Sequence, residues 1–457
     1  MAGIGFELRK ILSEDTYTSH IKAYVYAAII SSGPWLMTVI AISVIGRTVR
    51  VFLSDHEADI MGATINYVYA FSIIMTGILQ MVVTRYLADR LYRDEAHMVL
   101  PIFNTTWVVT LATQAPVAAA FLYHCDLPFL YCLIAFLLYL CICSMWICMI
   151  FLSAAKDYRA IVTAFLVGTG FSVLGAWYLA PTQGLIGVLG GFTAGQLIIL
   201  FWLILRLMVE FPSDRYIDRD MFAAFGPYLP HLLIGFFYNL GVWIDKFIFW
   251  LSESGYQITG PLYANRLYDN SIFMAYLATI PAFALFLIRI ETDFYEQYKT
   301  YYATIIHKAN RSKILRERDR LVSSIREGLG QLIKVQGAIT LCMLVLTPFV
   351  IEALHFSYQQ YGIMRIGFIA AYLQTIFLIL LVVLLYFDFR KEALISTVVF
   401  LCTNAAFTLV SLNLGFANYG YGYFTACLVS VPVAYFFLDR NLNRLEYLTF
   451  MNQPISG

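Results

Sequence analysis

The residues best equipped to do chemistry lie in one apolar run, 224–250, which reads FGPYLPHLLIGFFYNLGVWIDKFIFW from Phe225. His231, Tyr238 and Asp245 recur at intervals of seven, so a helix brings them to one face with a slow drift. Asn239 borders that face, and Gly235 and Gly241 leave room beside it for another backbone or a ligand. A carboxylate inside an apolar helix is costly and faces a cavity or a partner. Asp245 could therefore bind a cation or proton, or accept from a sugar hydroxyl; a salt bridge to a neighbouring helix is the alternative. Lys246 follows it directly, about 100° around the helix, and is expected to reach for the outer interface rather than pair with Asp245.

Other chemical patterns carry less. Asp218-Arg219-Asp220 has the DxD form of metal-dependent glycosyltransferases, and Asp55, Glu57 and Asp59 could mimic the acidic site of a membrane glycosyltransferase. No nucleotide-binding domain surrounds the first, and no large extracytoplasmic domain accompanies the second. The chain has no GxxxxGK[ST] loop, no HExxH and no Gly-x-Ser-x-Gly, so P-loop, zincin and serine-hydrolase chemistry are not expected. Seven of eight cysteines fall inside apolar runs and read as small packing groups, with Cys125 in a short loop; without a CxxC pair or Cys/His cluster, no metal is expected. No cofactor and no nucleic-acid partner are expected either.

The elements that must position these residues follow from composition. Hydrophobic residues make up 60% of the chain and charged ones 13%, about half the charge of a soluble domain. So much apolar surface must face lipid. A bilayer core about 30 Å thick takes roughly 20 apolar residues per helix, and twelve such runs are present: 22–46, 64–84, 98–122, 128–153, 160–180, 184–207, 224–250, 271–289, 333–353, 366–387, 393–414 and 421–438. The strand alternation of an outer-membrane barrel is absent. The chain is thus read as an all-α polytopic membrane protein.

Charge sets its orientation. Twenty-five Lys and Arg fall on the side that holds both termini and four on the other, with Lys246 left inside a run. The positive-inside rule makes both termini cytoplasmic. Residues 1–21 lack the pattern of a cleavable signal peptide; Ile4, Phe6, Leu8, Ile11 and Leu12 suit a short surface helix instead. Six runs lie in 1–213 and six in 214–457, as expected of two parallel six-helix bundles. The segment 292–332 between the eighth and ninth runs is charged throughout and carries an apolar stripe at Ile305, Ile306, Ile314, Leu315, Leu321, Val322, Ile325 and Leu329. It reads as an amphipathic connector on the membrane surface, or as a docking site in which Lys308, Arg311, Lys313, Arg316, Arg318 and Arg320 meet a cytoplasmic protein. Hinges are expected at Gly33 and Pro34 in the first run, at Pro227 and Pro230 opening the seventh, and at Pro281 in the eighth, where a missing N–H bends the helix.

The block MAGIGFELRKIL and the following ISSGPWL resemble the PelG family, inner-membrane transporters of the Pel exopolysaccharide system within the superfamily of multidrug extruders and oligosaccharide-lipid flippases. The resemblance at residue level covers about Met1 to Leu36. It implies export of a hexosamine-rich polysaccharide for biofilm matrix across a bacterial inner membrane, beside a cytosolic glycosyltransferase and two further Pel membrane proteins, with no catalysis by the chain itself. A cation-coupled multidrug or lipid-linked oligosaccharide flippase of the same superfamily is the alternative, and a polytopic membrane glycosyltransferase a third. The resemblance supplies no site residues, so His231, Tyr238, Asn239 and Asp245 rest on the helix argument alone.

Overall fold

A computed structural model describes residues 17–155, 158–288 and 294–451. The surface helix expected from Ile4 to Leu12 lies outside the described residues, as do Lys156 and Arg289. In chain order the elements are α1 Tyr17–Thr48, α2 Asp55–Tyr92, α3 Val99–Tyr123, α4 Phe129–Ala155, α5 Tyr158–Glu210 and α6 Leu229–Trp250. The hairpin β1 Tyr256–Thr259 and β2 Leu262–Ala264 follows. Then come α7 Arg266–Leu277, α8 Ile280–Ile288, α9 Tyr295–Ile306, α10 Arg311–Ala353, α11 Gln360–Tyr386, α12 Arg390–Asn413, α13 Tyr421–Leu442 and α14 Leu445–Met451.

Eleven helical segments among the described residues are long and apolar enough to cross a membrane. One of them, α5, has 53 residues, roughly 80 Å at 1.5 Å per residue and far more than one bilayer crossing needs. It turns at Gly184, whose φ of 55° and ψ of −135° are not helical, and so supplies two spans. With α5 counted twice, the eleven segments give the twelve spans expected. The two limbs of α5 meet at glycines: a methyl on Gly191 would lie 2.2 Å from the Gly175 carbonyl carbon. Ser172 Oγ donates to the Phe192 carbonyl at 3.1 Å, and Gln196 Nε2 donates to Ser172 Oγ at 3.2 Å. Without a hydrophobic drive between helices in lipid, such small-residue contacts and interhelical hydrogen bonds hold spans together. Leu166, Leu174, Trp177, Phe201 and Leu205 on the outside of this hairpin are exposed, as lipid-facing positions must be.

The chain divides into two compact units, Gly33–Asn265 and Met1–Ser32 with Arg266–Gly457. Packing therefore does not divide at 213/214, where the six-plus-six count would put it. The seventh span, α6, lies along α2 instead. Gly77 of α2 faces Gly235 and Asn239 of α6 so closely that a methyl on Gly235 would lie 2.2 Å from the Gly77 carbonyl oxygen. In the same unit Tyr139 donates to Gln114 at 2.8 Å, Tyr131 to Thr64 at 2.9 Å and Trp146 to Ser72 at 3.1 Å, which satisfies polar groups that lipid could not. The loop after α6 folds into the β1–β2 hairpin, whose turn needs the left-handed Gly260 at φ 48°. Tyr67 pins it from α2 by accepting from the Tyr263 N–H at 3.1 Å.

In the second unit α11 is buried along most of its length, and Tyr423 of α13 donates to Gln374 within it. The eighth span is broken at 278–279 between α7 and α8, and Pro281 stands in the first turn of α8. Gln336 of α10 donates to the Ala278 carbonyl at the break, at 2.9 Å. The first span behaves differently: α1 runs unbroken through Pro34, and the Thr38 hydroxyl donates to the Pro34 carbonyl at 3.0 Å. Pro230 stands in the first turn of α6, where a missing N–H is harmless, and Pro227 precedes the helix. These two prolines start the span rather than bend it.

Candidate functional site

α6 places its functional side chains at two depths. His231 is 5% exposed and Asp245 0%, but fourteen residues of helix separate them by roughly 21 Å. They share a face without forming one site. Near the start of the helix, His231 stands edge-on to Tyr228 with ring centroids 5.7 Å apart. The Tyr228 hydroxyl donates to Asp89 of α2, whose other oxygen lies 3.5 Å from Arg85 Nε. Tyr238 is half-buried midway. Asn239 donates its amide N–H to the Gly235 carbonyl at 3.0 Å and fills the contact with Gly77.

At the far end of α6 the structure corrects the expectation for Lys246. Lys246 is 6% exposed, and its Nζ lies 3.2 Å from both Asp245 oxygens. The same ammonium donates to the Val242 carbonyl at 3.0 Å and stands 5.6 Å over the Trp243 ring. Adjacent Cα–Cβ vectors do diverge by about 100°, but four flexible methylenes let the ammonium curl back to its neighbour. Burial makes this worthwhile: two charges held in an apolar helix attract far more strongly than on a wet surface. Around the pair Trp243, Phe247 and Trp250 join Tyr67 and Phe71 of α2 in an aromatic cluster, with Tyr67 and Trp250 stacked at 4.6 Å. The sequence signal for this cluster was present in the seventh run; what was missing was the partner helix.

The DxD triplet also has a structural account. Asp218 is 3% exposed; it accepts from the Tyr86 hydroxyl at 2.8 Å and from the Asp220 N–H at 3.0 Å, and its own N–H donates to Thr105 at 2.8 Å. Arg90 donates to Tyr86 and to Glu95 and lies 3.6 Å from Asp220. That guanidinium holds the Glu95 carboxyl below the usual carboxylate range. The triplet ties the loop after α5 to the ends of α2 and α3. Glu57, from the acidic trio, closes a capping box with Ser54 at the start of α2. Among the described residues no group of three or more metal-capable side chains occurs.

The connector 292–332 becomes α9 and the first half of α10. Its stripe is buried at Ile305, Ile314, Leu321, Ile325 and Leu329, while Ile306 is exposed. α9, α11 and α14 cover α10, so the apolar face is used within the chain. Of the six basic residues, Arg311 lies 3.4 Å from Glu446, Arg318 2.6 Å from Asp319 and Arg320 2.8 Å from Glu317. Lys308, Lys313 and Arg316 are exposed and have no ion pair among the described residues.

A helical membrane protein with twelve spans, paired polar groups buried between helices and a kinked eighth span has the build of a transporter. Solved structures agree on the fold. A MATE transporter in its straight conformation matches with a TM-score of 0.67 and 12% identity, over 93% of this chain and 97% of that one. A transporter of the MOP superfamily from Pyrococcus furiosus matches at 0.64 and 12%, over 92% of this chain and 96% of that one. A MATE transporter in the outward-facing conformation matches at 0.65 and 12%, over 92% and 96%. Comparison with curated proteins gives no match. The family model "PelG: Putative exopolysaccharide Exporter (EPS-E)" matches residues 1–450. The chain belongs to the PelG family of exopolysaccharide exporters, on the fold of the MOP superfamily, and its work is transport rather than catalysis.

Proposed function

We propose that this exporter moves a Pel-type, hexosamine-rich polysaccharide across a bacterial inner membrane into biofilm matrix, with both termini in the cytoplasm. The observation that carries this reading is the PelG match across residues 1–450; the twenty-five-to-four charge asymmetry supports the orientation. His231, Tyr238 and Asp245 line the path on α6, and the Asp245–Lys246 pair is where a proton or cation would couple, by competing with the ammonium for the carboxylate. Pro281, in the first turn of α8 beside the break in the eighth span, acts as a hinge. Lys308, Lys313 and Arg316, with Arg311, Arg318 and Arg320 around them, dock a cytosolic glycosyltransferase that works with two further Pel membrane proteins.

Co-purification tests the partnership. The solubilised chain should bring down a cytosolic glycosyltransferase encoded by a neighbouring gene, and deleting 308–320 should abolish that association. A chain that purifies alone, and whose transport of small cations depends steeply on a proton or sodium gradient, supports the second reading, a cation-coupled extruder. The MATE-like fold is what favours that second reading.

A further inference from the structure

Between α2, α3 and α4, beside the aromatic cluster, lies a cavity of about 100 Å³. Its wall comes from 64–71 of α2, 117–125 at the end of α3 and 131–139 of α4, with Leu127 and Leu262 added from the loop before α4 and from β2. The stretches on α3 and α4 each run about 12 Å. Every hydroxyl and thiol proton in this wall is already given to the protein. Tyr131 donates to Thr64 at 2.9 Å, and Thr64 to the Ile60 carbonyl at 2.8 Å. Tyr139 donates to Gln114 at 2.8 Å, Tyr67 to the Pro261 carbonyl at 3.4 Å and Cys125 to the Phe121 carbonyl at 3.7 Å.

These commitments decide what fits. A water or a sugar hydroxyl placed there meets no free donor and gives up those of bulk water. Hydrocarbon loses nothing. An apolar cavity of about 150 Å³ takes up benzene, so one of about 100 Å³ holds a few methylenes. Drug-sized ligands need roughly 300 Å³ or more. The way in is equally specific. Of the lining side chains Val117 alone is exposed, at 45%. It stands on a membrane span whose other outward positions, such as Val108, are also apolar, so the mouth opens onto lipid rather than water.

We propose that the cavity is a site for one acyl chain of a bilayer phospholipid, which enters past Val117 and lies against α4 between α2 and α3. The wall reaches the ends of the spans at Cys125 and Leu127, so the head group stays at the membrane surface while the tail bends inward. Leaving one apolar medium for another brings no hydrophobic gain. The chain is held by dispersion contacts with a wall that otherwise lacks partner atoms, and it exchanges readily with the bilayer. Tyr67 and Phe71 line the cavity and also stack on Trp250 and Phe247 of α6. An inserted chain therefore braces the rings that seat α6. The inference goes beyond the export reading and does not depend on it.

The test uses the full chain in nanodiscs doped with phosphatidylethanolamine that carries a diazirine midway along one acyl chain. After photolysis, adducts are mapped by peptide mass spectrometry. Tyr131 and Tyr139 are 0% and 6% exposed, so bulk lipid does not reach them, whereas it covers Leu174 on the outside of α5. Adducts on both tyrosines are expected. Ala118→Leu and Ala135→Leu put extra methyls into the cavity and should each cut those adducts about tenfold, with labelling at Leu174 unchanged. Wild-type protein labelled at Leu174 but at neither tyrosine overturns the proposal, and this comparison decides alone if the variants do not fold. Tyrosine adducts that persist in both folded variants overturn it as well. So does labelling by a free fatty acid with the same diazirine where the phospholipid gives none.

Discussion

Replacing Lys246 with Met, or Asp245 with Asn, should destabilise the protein, and replacing both should cost less than the two losses added. The Nζ sits 3.2 Å from each Asp245 oxygen, with the two side chains 7% and 0% exposed. At an effective dielectric of about 20, charges at that separation attract by about 5 kcal/mol. Removing one member of a buried pair typically costs about 3–5 kcal/mol, because the other charge stays buried. Lys246→Met and Asp245→Asn should each approach that loss, and the double variant should lose less than the two single losses added. The resulting coupling energy should be about 3 kcal/mol, read by reversible SDS-titration unfolding. Export of surface polysaccharide at matched protein levels gives the second readout. If Asp245 couples transport, the double variant folds but does not export. Two single variants each within about 0.5 kcal/mol of wild type would refute the energetic argument. A stable, exporting double variant would remove the pair from the mechanism.

Gly235→Ala should loosen α6 from α2 by about 1–3 kcal/mol, since the new methyl meets the Gly77 carbonyl; Gly46→Ala, with nothing within 4 Å, is the control in the same unfolding assay. Asp218→Ala should lower stability by about 1–3 kcal/mol through the stranded Tyr86 hydroxyl and Asp220 N–H, and the purified chain with or without it should transfer no sugar from nucleotide-sugar donors in a radiolabel assay. Burial pushes the Cys125 thiol up to about 11. Maleimide labelling there should be slow at neutral pH and accelerate roughly tenfold per pH unit toward that value, as the thiolate fraction rises. In cysteine-free backgrounds an impermeant maleimide should reach Gln257→Cys from outside intact cells and Ser323→Cys only after permeabilisation; the reverse pattern would invert the orientation.

The sequence made the spans legible because lipid leaves few alternatives: helices of a given length, apolar on every side that meets hydrocarbon. Even the two limbs of α5 stand apart in the sequence at 160–180 and 184–207. The buried stripe on α10 is legible for a similar reason, since a helical period acts locally. Partner choice is not local. Nothing in the seventh run says that α6 lies on α2, because Gly77 and Gly235 are ordinary glycines until the two helices meet. The pairing of Lys246 with its neighbour escaped for a different reason. Cα–Cβ geometry fixes where a side chain starts, not where a flexible stem ends. Asp218 looked like a metal-binding motif because three letters carry no information on Tyr86 and Thr105, more than a hundred residues upstream.

The α5 hairpin has a consequence for how the chain is made. Its limbs meet through Gly175 and Gly191, and Ser172 and Gln196 bond to each other's limb, with Gln196 Oε1 the buried atom left without a partner among the described residues. A nascent chain can therefore deliver both limbs to the bilayer as a finished wedge while residues beyond 213 are still on the ribosome. A chain truncated at that residue should already protect the hairpin from protease, whereas Gly191→Leu should leave it digestible until, if ever, the rest of the protein arrives.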